Sequence, residues 1–174
     1  MNRLEEQKHR FSLLVKQLDL PAEWVERFFL DGHIDKLELY RQNKEWVFTF
    51  TLPRLLPAEI YQAFMRRLIQ SFSHLATVDA RFRYREQPSV EQAVSQYWDV
   101  LLENLEQKIN SLAVTLRQAK RKVEAQSVTV YLPTEMAVEM AKRKKADSEL
   151  AAAFEKVTAC VPRFTFLAEE NDEA

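Results

Sequence analysis

The chain has 174 residues, 47% of them hydrophobic and 11% aromatic, which is enough to bury one core of ordinary size or two small ones. Its 25 Lys and Arg residues nearly balance its 26 Asp and Glu residues, so the net charge of -1 gives no global attraction to nucleic acid or to an acidic membrane. The sequence has no long uncharged apolar run, and residues 2–10 are too polar for a secretory signal, which predicts a soluble cytoplasmic protein without a membrane partner.

The chain contains a single glycine, Gly32, and a single cysteine, Cys160. Phosphate-binding loops, dinucleotide fingerprints, nucleophile elbows and Gly-x-x-Gly clamps need several closely spaced glycines, because their backbone must approach a phosphate or adopt positive φ. One cysteine cannot form an intrachain disulfide or a cysteine-rich zinc site. The sequence therefore excludes all of these sites.

The first elements in chain order are two helices and a β-hairpin. Apolar residues recur at helical spacing over residues 2–18, and Pro21 then opens a short second helix that ends at Asp31-Gly32. We expect Gly32 to be the left-handed residue that follows this helix. Residues 37–40 and 46–52 then alternate between apolar and polar side chains on either side of a polar turn, which predicts a hairpin.

A strongly amphipathic helix follows and organises the first half of the chain. Pro57 permits a helical start at residue 57 or 58. The predicted buried stripe contains Ile60, Phe64, Leu68 and Phe72, and it is widened by Tyr61, Met65, Ile69 and Leu75. Residues 77–85 alternate again and predict a third strand. The first unit is thus ααββαβ, a three-stranded sheet covered by helices on one face.

The second half of the chain predicts another α+β unit of order α(α)βαβ, with a smaller sheet. Ser89 caps a helix whose apolar stripe continues or restarts through residue 116, and a basic connection over residues 117–122 leads into a strand at 128–132. Thr134 caps the next helix, which residues 142–149 weaken because they are polar, and residues 164–167 form the last strand. The unit partly mirrors the first, and a duplication stays open because no residue-level repeat proves it.

These elements predict an α+β fold with two small domains, each a short sheet packed by helices. The predicted bounds are 1–86 for the first domain, 89–168 for the second and 169–174 for an acidic linker or tail.

No catalytic, cofactor-binding or metal site is predicted. His9, His33 and His74 lack neighbours at ligand spacing and are best interpreted as solvated or packing side chains. Asp31 and Asp35 flank His33, and the alternative is a weak metal site or an acid-base pair there. Cys160 has no adjacent base to form a thiolate, so a structural thiol is expected.

Basic residues supply the candidate interaction surface. Arg81, Arg83 and Arg85 share one face of the third strand, while Arg66 and Arg67 lie on the preceding helix and Tyr40 offers a ring for stacking. Acidic residues interleave with these arginines, so three interpretations stay open. The surface is a solvated mixed-charge surface, a protein-binding surface or a nucleic-acid-binding surface.

Several short segments carry a family resemblance. They are Arg10-Phe11, residues 29–34, Leu55-Leu56-Pro57, Ile60-Tyr61, Arg67-Leu68, Gln70-Ser71-Phe72 and Tyr97-Trp98. Together they resemble the N-terminal region of the PolC-type DNA polymerase III alpha subunit over residues 1–168. The segments consist of packing residues, so they identify a family and not a chemistry.

This resemblance implies two α+β domains similar to the C-terminal polymerase-binding domain of the clamp-loader tau subunit. It also implies a non-catalytic fragment, because the polymerase and 3'-5' exonuclease domains of the family lie further along its chains. The expected role is to tether a replicative polymerase in the replisome, with tau the first partner, then helicase or single-strand-binding protein. The alternative is a module that binds single-stranded or primer-template DNA through the basic strand face. No cofactor is implied, and the oligomeric state is left open.

Overall fold

The structure, a computed structural model, describes residues 1–109 and 111–169, and the contacts between them define two units. The first unit comprises Met1–Pro88 with Lys156–Ala159, and the second comprises Ser89–Glu155 with the described residues from Cys160 onward. The bounds 1–86 and 89–168 stay a prediction, because grouping by contacts does not measure independent folding. The predicted acidic tail lies outside the described residues apart from Glu169.

The first unit contains one three-stranded sheet and the helices that cover it. In chain order its elements are α1 (Arg3–Leu18), α2 (Ala22–Trp24), a π-helical turn (Val25–Phe29), β1 (His33–Tyr40), β2 (Glu45–Leu52), α3 (Ala58–Phe72) and β3 (Thr77–Tyr84). The strand order is β1-β2-β3, with β1 and β2 antiparallel and β2 and β3 parallel. The parallel pair is possible because α3 forms the crossover between the two strands.

Aromatic side chains fill the space between this sheet and its helices. The ring of Phe64 on α3 is fully buried and lies between Phe29, Phe50 and Phe82, with ring centroids 5.3, 5.4 and 6.0 Å away. Phe11 brings α1 onto the same cluster, with its ring centroid 5.6 Å from that of Phe50. The prediction of a three-stranded sheet packed by helices is therefore confirmed.

Gly32 has a different role from the predicted one. The left-handed residue at this turn is Asp31, with φ 65°, and no glycine has positive φ. A Cβ atom at residue 32 would instead lie 2.6 Å from Cε2 of Phe11 and 2.9 Å from Cδ2 of Leu52, both of which are buried. Glycine is required here because two core side chains approach the backbone, and the prediction of a left-handed Gly32 was wrong.

We therefore expect Gly32→Ala to destabilise the protein by about 1–3 kcal/mol, the usual effect of overpacking a core. Urea unfolding followed by circular dichroism measures the change. Asp31→Gly is the matched control, because glycine tolerates positive φ, and it should change the unfolding free energy by less than about 1 kcal/mol. Equal stability of Gly32→Ala and the parent chain would contradict the packing role.

The second unit has the same strand arrangement. Its elements are α4 (Val90–Asn104), α5 (Glu106–Ile109), α6 (Leu112–Gln118), β4 (Lys120–Glu124), β5 (Ser127–Leu132), α7 (Glu135–Arg143), α8 (Ala146–Thr158) and β6 (Arg163–Ala168). The strand order is β4-β5-β6, antiparallel and then parallel. Ser89 and Thr134 cap α4 and α7 as predicted, since each side-chain oxygen accepts a backbone N–H three residues later.

Strand β4 was not predicted from the sequence. Residues 117–122 were predicted to be a basic connection, but Lys120–Glu124 pairs with β5 through a tight turn in which Ala125 has φ 53°. The polar run 142–149 likewise contains a break between α7 and α8, which lies at Lys144 and Lys145, with Lys145 at φ 55°. Charged side chains dominate both segments, so local periodicity gave no signal for the strand or the turn.

The α+β class with two small three-stranded sheets is confirmed, whereas the similarity to the tau domain stays a prediction. In the described part of the chain, no helix is both long enough and apolar enough to span a membrane.

Candidate interaction surface

Part of the predicted basic cluster lies on the face of the first sheet that points away from the aromatic core, which we call the outer face. Side chains alternate along β3, so Phe82 points to the core while Arg81 and Arg83 point away from it and are exposed. Strand register places Arg81 beside Thr49 and Arg83 beside Thr51. The two arginines thus share one face as predicted.

The other predicted arginines lie elsewhere. Arg66 and Arg67 are on α3, which packs against the opposite side of the sheet, and Nη1 of Arg67 donates to the carbonyl of Leu18 at 3.2 Å. The guanidinium of Arg85 donates to the carbonyl oxygen of Asp31 beyond the end of β3. Arg67 and Arg85 therefore hold chain segments in place, and the six candidate residues do not form one patch.

Tyr40 lies at the acidic end of the outer face. Strand register pairs it with Glu45, and its hydroxyl donates to Glu38 at 3.0 Å. The hydrogen bond to Glu38, followed by the negative charge of that carboxylate, raises the pKa of Tyr40. A nucleic-acid phosphate would meet two carboxylates beside this ring, which makes it a poor stacking site.

His33 and Asp35 form a small polar cluster at the other end of the same face. His33 Nε2 lies 2.9 Å from Asp35 Oδ1, and the Thr51 hydroxyl donates to Asp35 Oδ2 at 2.5 Å. Asp31 is not part of it. In the described residues, no three His, Cys, Asp or Glu side chains come together in a way that would hold a metal ion. The hydrogen bond from Thr51 to Asp35 therefore ties β2 to β1, and the acid-base pair at His33 and Asp35 stays a prediction.

An apolar surface that the sequence analysis missed lies at the edge of the first unit. Its members are Leu39 on edge strand β1, Trp46 on β2, Ile69 and Phe72 on α3, and Leu75 after α3; we call this set the edge patch. Leu39 pairs with Trp46, whose ring centroid is 5.3 Å from that of Phe72. Leu39, Ile69 and Leu75 are 56%, 44% and 53% exposed. The prediction that Ile69 and Leu75 belong to a buried stripe was therefore wrong.

The first unit also has a groove of about 570 Å³. It runs between α1 and the π-helical turn, with Phe11, Val15 and Phe29 at its base and Lys8 and Glu26 at its rim. Its charged rim carries both signs, so the groove selects no class of ligand by charge.

A comparison with protein-family models matches residues 10–82 to the family described as DNA polymerase III polC-type N-terminus I. Curated relatives are the PolC-type DNA polymerases III of Halalkalibacterium halodurans, 30% identical over 80% of this chain, and of Bacillus subtilis, 28% identical over 83%. That of Bacillus cereus is 32% identical over 60% of the chain. The matched residues span only 10%, 10% and 7% of the lengths of these relatives.

Proposed function

Because this chain belongs, through residues 10–82, to the family of PolC-type DNA polymerase III N-terminal domains, we propose that it is a non-catalytic protein-interaction module of a replicative polymerase. Its role is to tether the polymerase within the replisome in the bacterial cytoplasm. The match covers none of the relatives' catalytic domains, so polymerase and exonuclease activity are assigned to other parts of the parent protein.

The edge patch is the observation that supports a protein partner. It combines a partly exposed tryptophan and phenylalanine with three exposed aliphatic side chains next to an edge strand. Exposed apolar side chains grouped at one edge are typical of protein-binding sites in soluble proteins, and tryptophan is enriched among the residues that dominate binding energy. Edge strand β1 also offers backbone groups to which an extended segment of a partner can pair.

The first partner to test is the tau subunit, followed by helicase and single-strand-binding protein. We expect the chain to bind one of them with a Kd below about 100 μM, which corresponds to roughly -5.5 kcal/mol. Isothermal titration calorimetry of the whole chain against each purified protein measures this. If none binds below that concentration, the tethering role is wrong.

Variants locate the binding surface. The combined change Leu39→Ser, Ile69→Ser and Leu75→Ser should raise the Kd at least about tenfold, because the three lost apolar contacts need to contribute only about 1.4 kcal/mol together for a change of that size. The control Val114→Ser with Met136→Ser changes more exposed apolar residues of the second unit and should leave the Kd unchanged. Equal losses in both variants would contradict the assignment to the edge patch. Leu4→Ser with Leu13→Ser tests helix α1 in the same assay.

The alternative function is DNA binding through the basic strand face. Fewer arginines are available for it than the sequence suggested. Arg81 and Arg83 are exposed side by side, but Arg85 is engaged with a backbone carbonyl. Glu38 and Asp79 lie in one row of the same face, adjacent to the arginines. Arg81→Ala with Arg83→Ala in an oligonucleotide titration tests this alternative directly.

A further inference from the structure

The outer face of the second sheet is open and carries a distinct set of side chains. Along β5, Val128, Val130 and Leu132 are fully buried, so their neighbours Ser127, Thr129 and Tyr131 point to the opposite side. Register places three rows of side chains there: Lys120, Tyr131 and Leu167; Lys122, Thr129 and Thr165; Glu124, Ser127 and Arg163. We call these nine residues the second-sheet face.

This face is predominantly basic. Its cations are Lys120, Lys122 and Arg163, all exposed, and Glu124 is its single carboxylate. Nζ of Lys122 lies 2.9 Å from Glu124, and both side chains are more than 60% exposed, so water screens this pair. A phosphate can therefore compete with Glu124 for Lys122. Lys120 has no carboxylate in its own row, whereas Arg163 shares its row with Glu124 and is separated from it by Ser127 on the central strand.

The neighbouring Arg121 does not belong to this set. Its guanidinium lies over the inward-facing ring of Trp98, 4.7 Å from the ring centroid. Burial lowers the pKa of Arg121, which is the expected effect of a partly dehydrated cation. Alternation along β4 thus separates one structural arginine from two solvent-facing lysines.

The spacing of the cations suits an extended polyanion. Lys120 and Lys122 are two residues apart on one edge strand, so their backbone positions are separated by about 6.6–6.8 Å. Arg163 lies on the same face at the other edge of the sheet, on β6. Successive phosphates of an extended nucleic-acid strand are separated by a comparable distance. The face can therefore contact neighbouring phosphates without rearrangement of the backbone.

The row that contains Tyr131 and Leu167 favours unpaired bases over base pairs. Tyr131 lies between Lys120 and Leu167, and Leu167 is 46% exposed. An aromatic side chain beside cations is the combination by which proteins bind single strands, since any base can stack on the ring. In a duplex the faces of the bases are stacked on one another and cannot reach Tyr131.

We propose that the second-sheet face binds single-stranded DNA, with Lys120, Lys122 and Arg163 on phosphates and Tyr131 against a base. The choice of DNA over RNA rests on the proposed role in replication. The surface itself is independent of the edge patch, because it uses no residue of the first unit. Failure of the tau titration and failure of DNA binding are therefore separate results.

The test is fluorescence anisotropy of the whole chain with a labelled 12-nucleotide oligo(dT) over a range of salt concentrations. The combined variant Lys120→Ala, Lys122→Ala and Arg163→Ala should raise the Kd at least about tenfold and reduce the salt slope by about 2, since each single-strand phosphate contact contributes about 0.7. The matched control Arg117→Ala, Lys142→Ala and Arg143→Ala removes the same charge from exposed helical positions. It should change the Kd less than about twofold, because it leaves the face intact.

Two further variants distinguish the proposed contacts with phosphates and bases from an effect of the total charge of the protein. Glu124→Gln should lower the Kd about two- to threefold, because it frees Lys122 for a phosphate. Tyr131→Ala should raise the Kd at least about fivefold through lost stacking. Thermal melts establish that every variant is folded. No binding at 50 mM salt, equal losses in the matched control, or equal affinity for duplex DNA would each overturn the proposal. Equal affinity for the corresponding RNA would overturn the assignment to DNA.

Discussion

Replacing Phe64 by alanine should destabilise the first unit by about 3–5 kcal/mol, the usual cost of deleting a buried phenylalanine ring. Phe64 is fully buried, and its ring stacks on that of Phe29 and meets the ring of Phe50 edge-on at 5.4 Å. Its removal leaves a cavity between α3 and the sheet. The lost aromatic pairs add to the free energy that is lost with the buried apolar area. Domains of this size are stable by only about 5–15 kcal/mol, so the change removes a large fraction of the total.

Urea unfolding of the whole chain, followed by circular dichroism, measures this effect. Ile69→Ala is the matched control, since Ile69 is on the same helix but 44% exposed, and it should cost less than about 1 kcal/mol. The same substitution tests the edge patch in the tau titration. A stable Phe64→Ala variant, or an equally unstable Ile69→Ala variant, would refute the burial pattern of α3.

In the second unit, Trp98→Ala should cost a similar 3–5 kcal/mol. The ring is buried beside Phe154 and Phe164, with centroids 6.3 and 6.1 Å away, and Arg121 covers it. Its Nε1 also donates to the carbonyl of Leu116 at 3.0 Å. The side chain thus joins α4 to the end of α6 as well as to β4 and β6.

The conservative variant Trp98→Phe separates packing from hydrogen bonding. It keeps most of the apolar contact but removes one of the two hydrogen bonds to the carbonyl of Leu116, which still accepts the backbone N–H of Ala119, so we expect a loss of about 0.5–1.5 kcal/mol. Chemical denaturation measures both variants, and Val114→Ala at an exposed position of α6 is the control. If Trp98→Phe were as stable as the parent chain, the hydrogen bond would contribute nothing.

The candidate surfaces were less predictable than the fold. Alternation along β3 correctly placed Arg81 and Arg83 on one face, because side-chain direction in a strand is a local property. The grouping of Arg66 and Arg67 with them failed, since nearness in sequence does not show on which side of the sheet a helix packs. The edge patch was missed for the same reason: whether Leu75 is covered depends on which elements lie nearby.

The sequence by itself determined the class of most helices and strands, the caps at Ser89 and Thr134, the start of α3 after Pro57 and the similarity of residues 10–82 to the PolC-type N-terminal family. These features depend on periodicity, on the fixed φ of proline and on short hydrogen bonds, all of which act within a few residues.

Only the tertiary structure decided that Lys120–Glu124 is a strand, because a charged segment becomes a strand through pairing with β5 and not through its own pattern. It also decided that glycine is needed at position 32, where Phe11 and Leu52 approach from other elements. The same holds for the basic second-sheet face, whose three cations come from two strands that are about 40 residues apart in sequence and are joined only through β5.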